Sequence, residues 1–187
     1  QLIAGHYPGT QMVGDPAAVY VNAMQQAAEN RQAAVAFIHA TSYVDDRQVM
    51  IYLGQLLAQR GVPSLLASPA DLQWSDGYAQ IADAGGTRPV SVLVRFFPAE
   101  WLPNLDRRTG WNHCFAGARI PLSNPGKAIL TQTKRFPLVW DKLKTPLPTW
   151  QAFLPETCDP RRVPWQCDES WVLKPALGRI GESIGLR

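Results

Sequence analysis

Residues 171–187, WVLKPALGRIGESIGLR, carry the side chains and spacing best suited to chemistry. An apolar run of Trp171, Val172 and Leu173 leads into Lys174 and Pro175, then into a segment holding Gly178, Arg179, Gly181, Glu182, Ser183 and Gly185. Glycines let backbone N–H groups approach an anion closely, and two cations can offset phosphate charge. The spacing is neither a P-loop, which needs GxxxxGK followed by Ser or Thr, nor a continuous GxGxxG after a strand. Each cation also has a plainer reading: Lys174 as a solvated lysine at a strand end, Arg179 as an exposed loop arginine. The chain stops at Arg187, where a nucleotide site needs its other wall, and Gln1 is an odd translational start. The expectation is a fragment that needs the remainder of the same polypeptide.

Other candidates lie upstream. Lys134, in TQTKRFPLVW, stands at the start of a predicted helix over 134–143. The helix dipole disfavours a cation there unless a phosphate or nucleobase edge is near; the alternative is a surface lysine. Arg95, in VRFFPAEW, ends an apolar strand and could meet a bound carboxylate or form an internal bridge with Glu100. Asn124-Pro125 is a turn-forming pair first and a substrate contact second. His6, His39 and His113 form no recognisable triad with Ser or Cys, and His39 reads as a strand-end cap. Adjacent Asp45 and Asp46 face different ways on a helix, which favours a helix start over a metal site. Cys114, Cys158 and Cys167 lack the two close ligand pairs of a zinc site, so no metal ligands are assigned.

The elements that must position these residues alternate between strand and helix. Asp15-Pro16 caps a helix in which Ala17, Val21, Met24 and Ala28 recur near helical period until Asn30. Residues 34–39 (AVAFIH) form a short apolar run, consistent with a buried parallel strand. Asp45 and Asp46 open the next helix, Val49, Leu53, Leu56 and Leu57 give its core stripe, and Gly61 stops it. Strands follow over 64–67 and 90–96, with a glycine-containing turn over 83–89. This predicts a small open α/β sheet with covering helices. After Phe97, ten prolines from Pro98 to Pro164 break the chain into short elements. A boundary falls between about Leu105 and Asn124, giving domains over 1–110 and 111–187.

Composition narrows the function classes. The apolar content of 46 % fits a folded protein. A net charge of +3 with scattered basic residues gives no concentrated face for nucleic acid. Trp101, Trp111, Trp140, Trp150, Trp165 and Trp171 read mostly as core or interface fillers, since base stacking needs an accompanying basic groove. No apolar run reaches the ~18 residues that span a bilayer, and the first residues lack the pattern of a secretory signal. Three cysteines cannot all pair; Cys158 and Cys167 could bridge, but one thiol left over favours a reduced, cytoplasmic protein.

Four segments together, in order and spacing, resemble the glutathionylspermidine synthase-like branch of the ATP-grasp ligases: VLVRFFPAEW, SNPGKAILTQTKRFPLVWDKL, TWQAFLPET and WVLKPALGRIGESIG. The resemblance spans roughly Val90 to Leu186. It implies an α/β domain preceding part of an ATP-grasp nucleotide-binding domain, with Mg2+ and ATP as cofactors. It implies that a carboxylate is activated as an acyl phosphate and that an amine then gives the amide. Lys134 and Lys174 would contact the nucleotide near its base and α-phosphate, and the Gly178 to Gly181 loop, with Arg179 as catalytic residue and Ser183 beyond it, would cover the terminal phosphates. Arg95 and Asn124 stand as substrate-binding candidates. The family's acidic and asparagine magnesium ligands, its substrate-binding set and its Cys-His amidase domain have no equivalent in this sequence, and Glu182-Ser183 departs from the small or amide residues expected there. The alternative is a noncatalytic nucleotide-binding or protein-interaction module on the same scaffold, or a plain α/β domain whose glycine segment merely turns the chain.

Overall fold

The computed structural model describes residues 6–10, 13–28, 33–179, 181 and 183–185. The chain divides into two compact units, Gln1–Gly126 and Lys127–Arg187.

In the first unit, helix α1 (Pro16–Ala27) starts where Asp15 accepts a hydrogen bond from the Ala18 N–H at 2.9 Å, with proline in the first turn. The predicted end at Asn30 lies outside the described residues. Strand β1 (Ala34–Ile38) is followed by α2 (Val44–Ala58) and β2 (Ser64–Ala67), which lies parallel to β1. Gly61, with φ of +71°, terminates α2 as expected. The buried face of α2 is Met50, Leu53, Gly54 and Leu57, whereas Val49 is 50 % exposed. The buried stripe therefore begins at Met50, which shares a helix face with Leu53, Gly54 and Leu57, whereas Val49 points about 100° away from it.

Two further strands, β3 (Leu72–Ser75) and β4 (Tyr78–Asp83), form a hairpin that the sequence reading did not contain. Strand β5 (Gly86–Arg95) starts earlier than predicted, which tightens the expected turn. Its first residues pair antiparallel with β4 over Gly86–Pro89, while Val90–Arg95 pair parallel with β1. After the short helix α3 (His113–Ala116), β6 (Leu122–Ser123) pairs parallel with Leu93 and Val94 of β5. The main sheet order is β2-β1-β5-β4-β3, with β6 beside β5, so the expected open α/β sheet is present. Strand β6 belongs to this sheet, and the first unit runs on to Gly126.

Alternation along β1 fills two layers. Val35 and Phe37 pack with Val21, Met24, Met50, Leu53 and Leu57 from the helices. Ala36 and Ile38 pack on the other face with Leu65, Leu72, Ile81, Leu93, Leu102 and Cys114. Burial on both faces explains why the central parallel strands read as continuous apolar runs. Each fully buried large side chain contributes about 1.5–3 kcal/mol relative to exposure.

Cys114 makes that second layer sensitive to alkali. Burial, partly opposed by the Arg95 charge, pushes its thiol up from 9.0 to about 11. Below pH ~9 both folded and unfolded states keep the proton; from there to pH ~11 only the folded state keeps it, so stability falls as pH rises. The expected loss across that window is about 3 kcal/mol. Urea denaturation at several pH values should show it, and Cys114→Ala should flatten the slope relative to the parent.

The second unit is built differently. It contains α4 (Ile129–Gln132), a 3-10 helix over Phe136–Lys142, α5 (Pro148–Phe153) and a 3-10 turn over Trp165–Cys167. The expected α-helix over 134–143 is thus a shorter 3-10 helix: Pro137 supplies no N–H, and Leu138 and Leu143 bond to carbonyls three residues back. Among the described residues of this unit only Trp140 is buried, and Trp150 is 56 % exposed. Hydrogen-bonded turns, rather than an extensive core, therefore hold this unit. All three cysteines are free, so the conceivable Cys158–Cys167 bridge is not formed.

Candidate functional site

A cleft of about 710 Å³ opens within the second unit. Lys134 and Arg135 approach it from the segment before the 3-10 helix, and Lys174 and Ala176 from the segment after Leu173. Glu156, Cys158, Asp159 and Arg161 come from the proline-bounded loop after α5, with Trp165 and Trp171 adding aromatic surface. Four cationic residues thus face the same space as two acidic ones. Hydrogen bonds from Arg161 hold the Asp159 carboxyl far below the usual carboxylate range, and Arg161 Nη2 lies 2.6 Å from Asp159 Oδ2. That pairing neutralises one acid and one cation locally, leaving Lys134, Arg135 and Lys174 against Glu156. Glu156 accepts a hydrogen bond from the Cys158 thiol at 3.3 Å, which pushes that thiol up and keeps it protonated.

The structure brings Lys134 and the later segment together across more than forty residues of chain. The Lys134 ammonium donates to the Gly178 carbonyl, and its backbone N–H donates to the Ala176 carbonyl at 2.9 Å. Among the described residues, the expected strand over 171–173 is reduced to an isolated antiparallel bridge in which Leu173 and Gly185 exchange backbone bonds. Lys174 therefore leaves a single bridge rather than a strand end, and it lines the cleft. Gly181 (φ +76°) and Ser183 (φ +51°) adopt the left-handed conformation. Ser183 is exposed and Arg179 half-buried with an interaction of its own. Ile180 and Glu182, which belong to the predicted phosphate loop, lie outside the described residues, as do Leu186 and Arg187.

Arg95 and Asn124 meet in the first unit. Arg95 is 3 % exposed; its Nε donates to the Asn124 carbonyl at 2.8 Å, one terminal nitrogen to the Phe97 carbonyl, and the other to the Pro125 carbonyl at 3.2 Å. Asn124, at φ +59°, returns a hydrogen bond from Nδ2 to the Arg95 carbonyl at 2.9 Å. Asn tolerates this left-handed backbone better than most residues. Buried His39 ends β1 with Nδ1 3.0 Å from the Ala40 carbonyl.

Sequence reasoning did not place Thr133, Glu156, Cys158, Asp159, Arg161, Trp165 or Trp171 among the site residues. Local spacing contained one usable signal: Asp159 and Arg161 form a two-residue turn in which the carboxylate accepts the Arg161 N–H at 3.0 Å. The convergence of the other residues depends on folding.

Residues 18–187 match the family described as glutathionylspermidine synthase preATP-grasp. The chain belongs to that family. Membership agrees with the resemblance drawn from the four segments and makes the fold part of an ATP-grasp-type ligase fold, for which nucleotide use and small-molecule substrates are the family's expectation. No curated protein matches the chain. Among the described residues no group of three or more His, Cys, Asp or Glu side chains gathers as a metal cage, and no helix is long and apolar enough to cross a membrane.

Proposed function

We propose that the second unit binds the phosphate-bearing part of ATP in its cleft, within a carboxylate–amine ligase that forms an amide through an acyl phosphate. The observation that carries this reading is the convergence of Lys134 and Lys174 on one cleft from opposite ends of the unit's sequence. A volume of about 710 Å³ lies in the range of small-molecule sites. ATP, when bound, supplies the phosphoryl group that converts a carboxylate into an activated acyl donor. The chain's own part is to offset charge: Lys134 and Lys174 present ammonium groups, and Arg179 provides a guanidinium on the same segment as Gly178, Gly181 and Ser183. Mg2+ enters through the family, because the described carboxylates near the cleft are engaged by Arg161 and Cys158.

In the first unit, Arg95 and Asn124 sit at the carboxyl ends of β5 and β6. Strand order reverses between β1 and β5, and ligands of open α/β sheets gather outside the carboxyl ends at such points. We assign these two residues to shaping the acid-binding end of the sheet. The amine partner, the need for the remainder of the polypeptide and a cytoplasmic setting belong to the same proposal.

Cys158 offers the test because it lines the cleft, whereas exposed Cys167 does not. In the intact protein, saturating Mg-ATP is expected to slow alkylation of Cys158 by about fivefold or more, since a bound ligand covers the cleft wall. Cys167 serves as the internal control and should react at its original rate. Equal labelling of Cys158 with and without saturating nucleotide would remove the support for this site.

A further inference from the structure

The turn that carries Lys174 is anchored from outside itself. At its base, Leu173 N–H donates to the Gly185 carbonyl at 3.1 Å and Gly185 N–H returns a bond to Leu173 at 2.9 Å. Further along, the Ala176 carbonyl accepts two hydrogen bonds: one from the Lys134 N–H at 2.9 Å and one from the Thr133 hydroxyl at 3.1 Å. The Lys134 ammonium then holds the Gly178 carbonyl. Within the turn, Gly178 N–H donates to the Pro175 carbonyl at 3.3 Å. Lys174 thus lies between two fixed points, Leu173 and Ala176, in a unit with little core to steady it by packing.

We propose that Thr133 is a positioning residue for Lys174, its hydroxyl clamping the Ala176 carbonyl so that the 174–178 turn is set on the cleft wall before any ligand arrives. The geometry also separates clamp from charge. An ammonium has three N–H donors, so Lys134 can hold Gly178 and still offer two to an anion. Thr133 carries no charge and does not line the cleft, so its substitution leaves the charges of the site in place; its hydroxyl also accepts the Arg135 N–H at 3.3 Å, a bond that valine loses and serine keeps. Preorganising the turn removes an ordering cost that nucleotide binding would otherwise meet. The effect on affinity rests on the proposed nucleotide site; the clamp itself is a property of the ligand-free chain.

The experiment compares the parent, Thr133→Val and Thr133→Ser in two measurements. Amide hydrogen exchange of the ligand-free protein reads the Lys134 N–H and residues 176–179, and a Mg-ATP titration reads affinity. Thr133→Val is expected to speed exchange there by about tenfold, the loosening expected from losing one hydrogen bond. It is also expected to weaken Mg-ATP by about fivefold through the restored ordering cost. Thr133→Ser, which keeps the hydroxyl, should stay within about twofold of the parent in both. Unchanged exchange in Thr133→Val, with circular dichroism unchanged, overturns the clamp. Faster exchange in Thr133→Val combined with no Mg-ATP binding by the parent keeps the clamp and defeats the nucleotide reading. Tight Mg-ATP binding by the parent and equally tight binding by Thr133→Val overturns the positioning role.

Discussion

Replacing Arg95 by methionine should lower the unfolding free energy of the protein's first unit by about 4 kcal/mol, the scale expected when a buried charged hydrogen-bond donor is removed. Three carbonyls, those of Phe97, Asn124 and Pro125, converge on this guanidinium. Methionine fills much of the same volume but donates nothing, so each carbonyl must find water or remain unsatisfied. The consequence should be local as well as global. Arg95 joins the end of β5 to the residues immediately after β6, and β6 itself is only Leu122–Ser123. Loss of the clamp should therefore release β6 first, seen as faster exchange of the Leu93 N–H, which donates to the Pro121 carbonyl at 3.0 Å. Arg95→Lys should fall between parent and Arg95→Met, because one ammonium lacks the planar reach to serve three separated carbonyls. Urea denaturation followed by far-ultraviolet circular dichroism measures the effect. A loss below about 1 kcal/mol for Arg95→Met would be that of an ordinary single hydrogen bond and would rule out the three-way clamp.

Lys174→Ala should weaken Mg-ATP by roughly fiftyfold while leaving the fold intact. A hydrogen bond from a charged donor to an anion contributes about 1.5–3 kcal/mol, and a polyphosphate partner places this one at the upper end. Lys174 is exposed, so its removal creates no cavity and breaks no packing. Titration by tryptophan fluorescence is suitable because Trp165 and Trp171 line the same cleft. The loss should shrink as ionic strength rises, since the cleft is open to solvent and its charges are partly screened. Lys174→Arg should retain most of the affinity, because it keeps the charge. Equal affinity of the parent and Lys174→Ala would show that the cleft does not use this cation.

Several elements were legible in the sequence because local chemistry dictates them. Asp15-Pro16 specifies a helix start whatever surrounds it, and Gly61 specifies a stop through its positive φ. The apolar run over 34–39 announced a strand buried on both faces, and β1 is one. The β3–β4 hairpin was not legible: Leu72, Trp74, Ala79 and Ile81 alternate with polar residues over runs too short to stand out. The region over 134–143 shows the opposite failure. Phe136, Val139, Trp140 and Leu143 have helical spacing, but Pro137 lacks an N–H and the segment closes with bonds to carbonyls three residues back, which leaves a 3-10 helix instead.

The sequence alone determined the residue types of the site and the order of the segments that carry them, which sufficed for the family. It could not decide which cations share a space. Lys134 and Lys174 are 40 positions apart, and their meeting depends on hydrogen bonds from the Thr133 hydroxyl and the Lys134 N–H to the Ala176 carbonyl that no local pattern encodes. Nor could it give the carbonyl partners of Arg95. Tertiary structure set its guanidinium against three carbonyls, because a charge buried among apolar side chains requires acceptors and the ends of β5 and β6 supply them.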